Sequence, residues 1–408
     1  MPSPTGTLPG SLSELVRARV WPEPVEGPVD LWVQAVSVGE VEVAATFVAA
    51  LRARRSGLKL LITSTTPAGT ALLGKRFRDG DETSLRPFPL DLPFSIGRLL
   101  DSARPGLLVL VETELWPVAL TAARRRGVGV LVVNGRLSER SLARLSALPA
   151  FLRRPLSALT LVATRGEEDA RRFVRLGVPG ERVLAVGDLK LDREEAPEPP
   201  FAHAFRRLSA GRAVVVAGSV ADEEVEPVLE ASRLLRQDGL DHLLLLAPRR
   251  PESFDEIARR LAAGGVSAVR RSRPEADGTA PPEVFLLDTV GELASAYRLG
   301  DAAFLGGTLA PKGGHNVLEP LRAGLPVLVG PSTANVREAV DAAGPAVREV
   351  ADAAALHREL ASLLRDPEAR RLAREAAGAL FARHGGAASR AADLALDLLD
   401  RRAGRGSP

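Results

Sequence analysis

Short apolar runs alternate with segments of helical periodicity through the first half of the chain. The runs at 31–37, 58–63, 107–111, 128–133, 159–163 and 183–186 are largely apolar rather than alternating, which predicts strands buried on both faces. Segments 41–55, 117–126 and 167–176 predict the helices between them. Strands alternating with helices imply right-handed crossovers and a parallel sheet. Residues 194–200, acidic and rich in Pro, break the pattern and predict a linker. The alternation then restarts, with strands at 213–217, 242–247, 284–287, 302–305 and 326–329 and helices at 223–237, 254–263 and 292–299. From 351 to 402 the pattern is helical.

The expected architecture is therefore α/β, with two doubly wound Rossmann-like domains. The first covers 1–193, the linker 194–200, and the second 201–408 with a helical C-terminal tail. Ligands of open parallel sheets collect beyond the carboxyl ends of the strands. Two such domains facing across a cleft would bring two substrates together.

Composition narrows the chemistry. A chain of 408 residues is too long for one ordinary core. It has no Cys, which removes disulfide, iron–sulfur and thiolate chemistry. It has no apolar run long enough to span a bilayer, and Pro2, Pro4 and Pro9 do not suit a secretory signal, so a cytoplasmic protein is expected. Its five His are scattered, and no His, Asp or Glu cluster has metal-ligand spacing, so no metal is expected.

Net charge is only +3, but it is unevenly spread: 27 Lys and Arg against 20 Asp and Glu through residue 193, then 27 against 31. A basic first half fits an anionic partner such as phospholipid, a phosphorylated substrate or nucleic acid. It equally fits a solvated Arg-rich surface, because 50 of the 54 basic residues are Arg.

Candidate chemistry gathers at the predicted strand ends. Ser37, Gly39 and Glu40 follow the first strand. A carboxylate there suits a general base that deprotonates an acceptor hydroxyl. It also suits a first helical turn, where the helix dipole favours it. Glu112, Glu114 and Trp116 follow another strand; they could grip hydroxyls and stack on a sugar face, or cap the helix that starts at Pro117. Thr66 and Arg136 lie in two further strand-end clusters, so four polar groups converge on one rim.

In the second half Ser219 ends one strand, and Arg249 and Arg250 end another, with a guanidinium available for a phosphate or carboxylate. Gly291 and Glu292 sit in a turn suited to a base edge. Residues 306–316 then form a glycine-rich turn between strand and helix. Thr308, Lys312, Gly313, Gly314, His315 and Asn316 belong to it, and Glu319 lies one helical turn on, suited to ribose hydroxyls. Such a loop suits a donor phosphate, held by backbone N–H groups with Lys312 assisting. It also suits tight strand–helix packing.

Taken together, these pieces resemble the 3-deoxy-D-manno-octulosonic acid (Kdo) transferases of lipopolysaccharide synthesis. The matching segments are 35–40, 65–69, 112–117, 136–138, 187–192, 288–293 and the glycine-rich loop, in the family's order. The resemblance implies a GT-B glycosyltransferase fold, CMP-Kdo as donor and a lipid A precursor (lipid IVA) as acceptor. It implies that Glu40 is the base and that Lys190, in the 187–192 segment, belongs to the acceptor side. No cofactor and no nucleic acid are expected. The partners are the donor, the lipid and an anionic membrane surface at the cytoplasmic face of the bacterial inner membrane, where the protein would be peripheral.

The chain departs from the family pattern in three places. The hydrophobic N-terminal anchor usual in the family is not expected here. Ser219-Val220-Ala221 stands where Ser-Thr-His is usual, and Pro248-Arg249-Arg250-Pro251-Glu252 where Pro-Arg-His-Pro-Glu is usual. Segment 11–21, with Leu12, Leu15, Val16, Val20, Arg17, Arg19 and Trp21, suits a short interfacial amphipathic helix, or one packed on its own domain. Two other readings carry the same fold: a nucleotide-sugar 2-epimerase-like isomerase, and a non-catalytic binding protein.

Overall fold

The computed structural model describes residues 8–9, 11–77, 82–113, 115–147, 154–273 and 281–405. It divides into two units, Met1–Arg193 with His384–Pro408, and Glu194–Arg383. The C-terminal helix thus belongs to the first unit, where the sequence reading had placed it with the second.

In the first unit the strands are β1 Leu31–Ala35, β2 Leu60–Ser64, β3 Thr83–Pro87, β4 Leu107–Val111, β5 Gly129–Gly135, β6 Leu161–Thr164 and β7 Val183–Ala185. They pair in parallel in the order β3-β2-β1-β4-β5-β6-β7. Residues of β1, β2 and β4 are buried throughout, which is why they read as unbroken apolar runs. The helices are α1 Leu12–Val20, α2 Val38–Arg54, α3 Pro67–Arg76, α4 Pro93–Ala103, α5 Pro117–Arg125, α6 Glu139–Ser146 and α7 Glu167–Leu176. Pro stands at the start of α3, α4 and α5, where its missing N–H costs nothing and its fixed φ suits the first turn.

In the second unit the strands are β8 Ala213–Val220, β9 His242–Pro248, β10 Ala268–Arg270, β11 Val284–Leu286, β12 Ala302–Leu305, β13 Val327–Val329 and β14 Val347–Glu349. Their order is β10-β11-β9-β8-β12-β13-β14, again all parallel. The helices are α8 Ala202–Ser209, α9 Val225–Gln237, α10 Phe254–Ala263, α11 Leu293–Ala296, α12 Leu318–Arg322, α13 Arg337–Ala343, α14 Ala353–Arg365 and α15 Pro367–His384. Residues 194–199 form neither helix nor strand and are pinned to this unit: Arg298 reaches Glu195 at 3.3 Å and the Ala196 carbonyl at 2.9 Å.

The last helix, α16 Ala387–Arg405, lies on α2. Ala388, Ala391, Ala395 and Leu399 join Val43, Ala44, Phe47 and Leu51 in one core cluster. Arg55 pairs with Asp400 at 2.7 Å, and Arg390 donates twice to the Val186 carbonyl at 2.9 and 2.7 Å. Asp192 accepts the Gly386 and Ala388 N–H groups at 2.5 Å each, capping the helix start. Among the described residues no helix is long and apolar enough to cross a membrane.

Candidate active site

Each sheet reverses its winding once, between β1 and β4 in the first unit and between β8 and β12 in the second. The crevice beyond the strand ends at such a switch point is where open α/β sheets bind ligands. In this protein Glu40 follows β1, Glu112 follows β4, Ser219 ends β8, and the glycine-rich loop follows β12.

Glu40 is the third residue of α2, and Ser37 is its N-cap. The Ser37 hydroxyl accepts the Glu40 N–H at 3.4 Å and donates to the carboxylate at 3.1 Å, while the Val36 N–H donates to the other carboxylate oxygen at 2.8 Å. The side chain is therefore held by its own helix start, and Glu40 is only 9% exposed. Burial pushes its carboxyl above the usual range, and nearby Glu112 adds to the rise; the Val36 and Ser37 bonds and Lys190 oppose it. A carboxyl raised in this way is closer to the pKa that a base needs at neutral pH.

Lys190 pairs with Glu112 at 2.8 Å. Glu112 has φ of +59°, uncommon for a residue with a side chain, and its N–H is tied to the Val133 carbonyl at 2.9 Å. Buried Asn134, also at positive φ (+54°), accepts the Leu189 N–H at 2.9 Å and so fixes the turn that carries Lys190. Thr66 caps α3 by accepting the Gly69 N–H at 3.1 Å and donates to the Val36 carbonyl at 3.0 Å, bracing the strand end before Glu40. Gly39 is exposed beside it. The Arg136 side chain is exposed, and its carbonyl accepts the Thr113 hydroxyl. Glu114 lies outside the described residues. A cavity of about 340 Å³ adjoins this rim, lined by Leu115, Trp116, Ser141 and Arg144 among others.

In the second unit Gly306 must lack a side chain, because a Cβ there would lie 2.3 Å from the Ser219 carbonyl oxygen. Ser219 itself has φ of +54°. Gly313 and Gly314 have φ of +84° and +79°, which bring the loop round to His315. Burial first, then the Arg249 guanidinium, hold His315 below its ordinary value, and Glu224 opposes them. Asn316 donates to Glu319 at 2.9 Å and accepts the Leu318 N–H at 3.1 Å. The N–H groups of His315, Asn316 and Val317 make no hydrogen bond within the chain among the described residues. Gly291, with φ of +91°, precedes Glu292, which pairs with Arg271 at 2.9 Å and accepts the Thr289 hydroxyl at 2.5 Å.

The first half of the glycine-rich loop is engaged within the chain. Thr308 is fully buried, and its hydroxyl bonds the Leu305 carbonyl and accepts the Gly330 N–H at 2.7 Å, so it braces the loop instead of facing a ligand. Lys312 pairs with Glu223 at 3.2 Å, and Arg250 lies near that glutamate. The N–H groups of 307–310 are also engaged, by Glu224, which the sequence reading did not single out. Among the described residues no group of three or more His, Asp or Glu could hold a metal ion.

Two Rossmann-like units, each with polar groups at its switch point, are those of a GT-B protein. The fold matches the UDP-GlcNAc 2-epimerase of Neisseria meningitidis with a TM-score of 0.60 over 91% of this chain and 100% of that one, at 13% identity. The model of the 3-deoxy-D-manno-octulosonic-acid transferase (kdotransferase) family matches residues 13–193, and that of the group 1 glycosyl transferases matches 216–379. The 3-deoxy-D-manno-octulosonic acid transferase of Bordetella pertussis is 37% identical over 390 residues, 93% of this chain and 89% of the relative. That of Haemophilus influenzae is 33% identical over 386 residues, 92% and 88%. This chain belongs to the Kdo transferase family of glycosyltransferases.

Proposed function

We propose that this transferase moves Kdo from CMP-Kdo to a lipid A precursor, lipid IVA, with inversion. Glu40 takes the proton of the acceptor hydroxyl. The hydroxyl oxygen forms its bond to the anomeric carbon as the bond from that carbon to the CMP phosphate oxygen breaks. CMP leaves as an anion, met by the N–H groups of His315, Asn316 and Val317 and by Arg249, an electrostatic role for preorganised donors. Glu319 takes the ribose, and the 288–292 turn the base. Lys190 and Arg136 face the acceptor's phosphates, and Glu112 keeps Lys190 in place.

The observation that carries this reading is the Glu40 carboxyl, buried at the switch point, raised above its ordinary range and held by two hydrogen bonds. Radiolabelled CMP-Kdo incubated with lipid IVA tests it. Transfer of label to lipid is expected; release of free sugar without lipid product would reject it. Incubation with the nucleotide sugar alone would expose an epimerase by a new sugar isomer.

Acceptor access requires a membrane surface. Helix α1 is anchored by buried Leu15, and Arg19 donates to the Phe88 carbonyl at 2.9 Å. This leaves Leu12, Val16 and Trp21 exposed, with Trp21 6.5 Å from exposed Phe94 and Arg98 stacked 4.6 Å from the Trp21 ring. We assign this apolar face with its Arg neighbours to the lipid interface. The protein would bind there reversibly, at the cytoplasmic face of the inner membrane.

A further inference from the structure

The glycine-rich loop offers backbone N–H groups to an anion, and one of the protein's own side chains has taken the first of them. Glu224 has no exposed surface. One of its carboxylate oxygens accepts the N–H groups of Thr308, Leu309 and Ala310 at 2.9, 2.8 and 2.9 Å. The other accepts those of Gly307 at 2.6 Å and Ala221 at 2.9 Å. Five backbone donors converge on one carboxylate, and charge-assisted bonds of this kind are about twice as strong as neutral ones. The arrangement offsets the cost of burying the charge without a basic partner.

The bond to Ala221 is half of a capping box, with Glu224 as the third residue of the short turn Asp222–Glu224. The other half needs a side-chain oxygen at 221, which Ala lacks, and the remaining acceptor capacity of the carboxylate goes to the loop.

The clamped segment leads directly to the donor-facing groups. Thr308 is tied to Leu305 and Gly330, and a Cβ on Gly330 would lie 2.3 Å from Thr308 backbone atoms. Gly314 donates back to the Gly307 carbonyl at 2.8 Å. A Cβ on Gly307 would lie 2.8 Å from Nε2 of His315, so the ring rests against the clamped residue.

We propose that Glu224 is a positioning residue of the donor site, an internal anion that locks 307–310 and leaves the donor phosphate to the following turn, His315–Val317. The proposal rests on reading the second unit as the CMP-Kdo site. It implies that ligand exchange never empties the first half of the loop.

Hydrogen–deuterium exchange on the full chain, with and without CMP, tests the clamp without any variant. Residues 307–310 should exchange at least about 100-fold more slowly than 315–317 in the free protein and be unmoved by CMP, while CMP slows 315–317. Fast exchange at 307–310 that CMP suppresses would overturn the proposal, because the phosphate would then occupy that half. A complete lack of CMP effect would sink the donor reading and the proposal with it. Slow exchange at 307–310 in the same data would locate that failure in the donor reading.

Glu224→Gln tests the positioning role. Whichever way its amide turns, at least two backbone N–H groups face an NH2 group that cannot accept. CMP affinity should fall, and the KM for CMP-Kdo should rise, at least about tenfold, with the acceptor KM within about twofold. Glu224→Asp keeps the charge on a shorter side chain and should recover part of the loss. Wild-type CMP affinity in folded Glu224→Gln would overturn the proposal, as would an equal rise in both KM values. If that variant does not fold, the exchange measurement on the unmodified protein decides.

Discussion

Glu40→Gln exchanges an ionisable oxygen for an amide of nearly the same shape, which separates the proton-accepting role from the helix-start role. The Gln oxygen can keep the Val36 N–H bond, 2.8 Å in the native protein, and the Ser37 hydroxyl can rotate to accept from the new NH2 group. The fold should therefore survive, while the proposed base is removed. Loss of a general base costs about 10²–10⁴ in rate, or about 3–5 kcal/mol of barrier. The KM for CMP-Kdo should stay within about twofold, because the donor groups lie in the other unit.

The pH dependence has a definite sign. The folded protein holds the Glu40 carboxyl above its unfolded value, chiefly by burial. Such a group contributes stability below its unfolded pKa, and the contribution disappears as pH rises through the folded pKa. Wild-type kcat/KM should rise through that raised value, so its acid limb lies above the ordinary carboxylate range. Glu40→Gln should lack the limb and should melt at or above the wild-type temperature at neutral pH, because no buried charge remains. Stopped assays across pH with labelled donor, together with thermal melts, measure both. Turnover above about one-tenth of wild type, or an unchanged acid limb, would refute the base assignment. A melting temperature several degrees lower would mean that Glu40 serves chiefly as a cap.

Lys190→Met removes the partner of Glu112 and a cation that lowers the Glu40 pKa. The acid limb should move to higher pH, and the acceptor KM should rise about tenfold or more while the donor KM holds, as steady-state kinetics would show. Gly314→Val places a β-branched side chain at φ of +79°, with Cβ 2.9 Å from Val336 Cγ2. Strain of about 1–3 kcal/mol should displace the loop and weaken CMP binding about tenfold by calorimetry, with the first unit unaffected. Replacing Leu12, Val16 and Trp21 together with Ser should weaken flotation on anionic vesicles. Wild-type binding should be lost at about 0.5 M salt and be slight on neutral vesicles.

The central strands were legible because both faces of each are buried, which leaves an unbroken apolar run. Strand β3 was not, since its residues alternate between buried and half-buried and include a Pro, as an edge position allows. The edge strands β10 (Ala-Val-Arg) and β14 (Val-Arg-Glu) carry charged, partly exposed residues and so present no apolar run. Helices α3 and α4 begin with Pro and contain Gly, which interrupts the helical pattern, and neither is among the predicted helices. Glu40 and the glycine-rich loop were visible because their neighbours in sequence share their chemistry. Glu224 was invisible: it is one of three acidic residues in a row, and its loop partners lie 83 to 86 positions further on. Asn134 was visible only as a member of the strand-end cluster that holds Arg136, because its partner at Leu189 is likewise remote in sequence.

The return of α16 to α2 has a consequence for synthesis. The second unit is a continuous insert in a first unit built from both ends of the chain. On the ribosome its segments emerge in one stretch, while the α2 face that Ala388, Ala391, Ala395 and Leu399 will cover stays uncovered until residues 387–405 are made. The usual order, N-terminal domain first, is inverted, and the first unit is the last to close. Released early, at residue 383, the nascent chain would carry a finished second unit and an open apolar strip on the first, which is a substrate for chaperones.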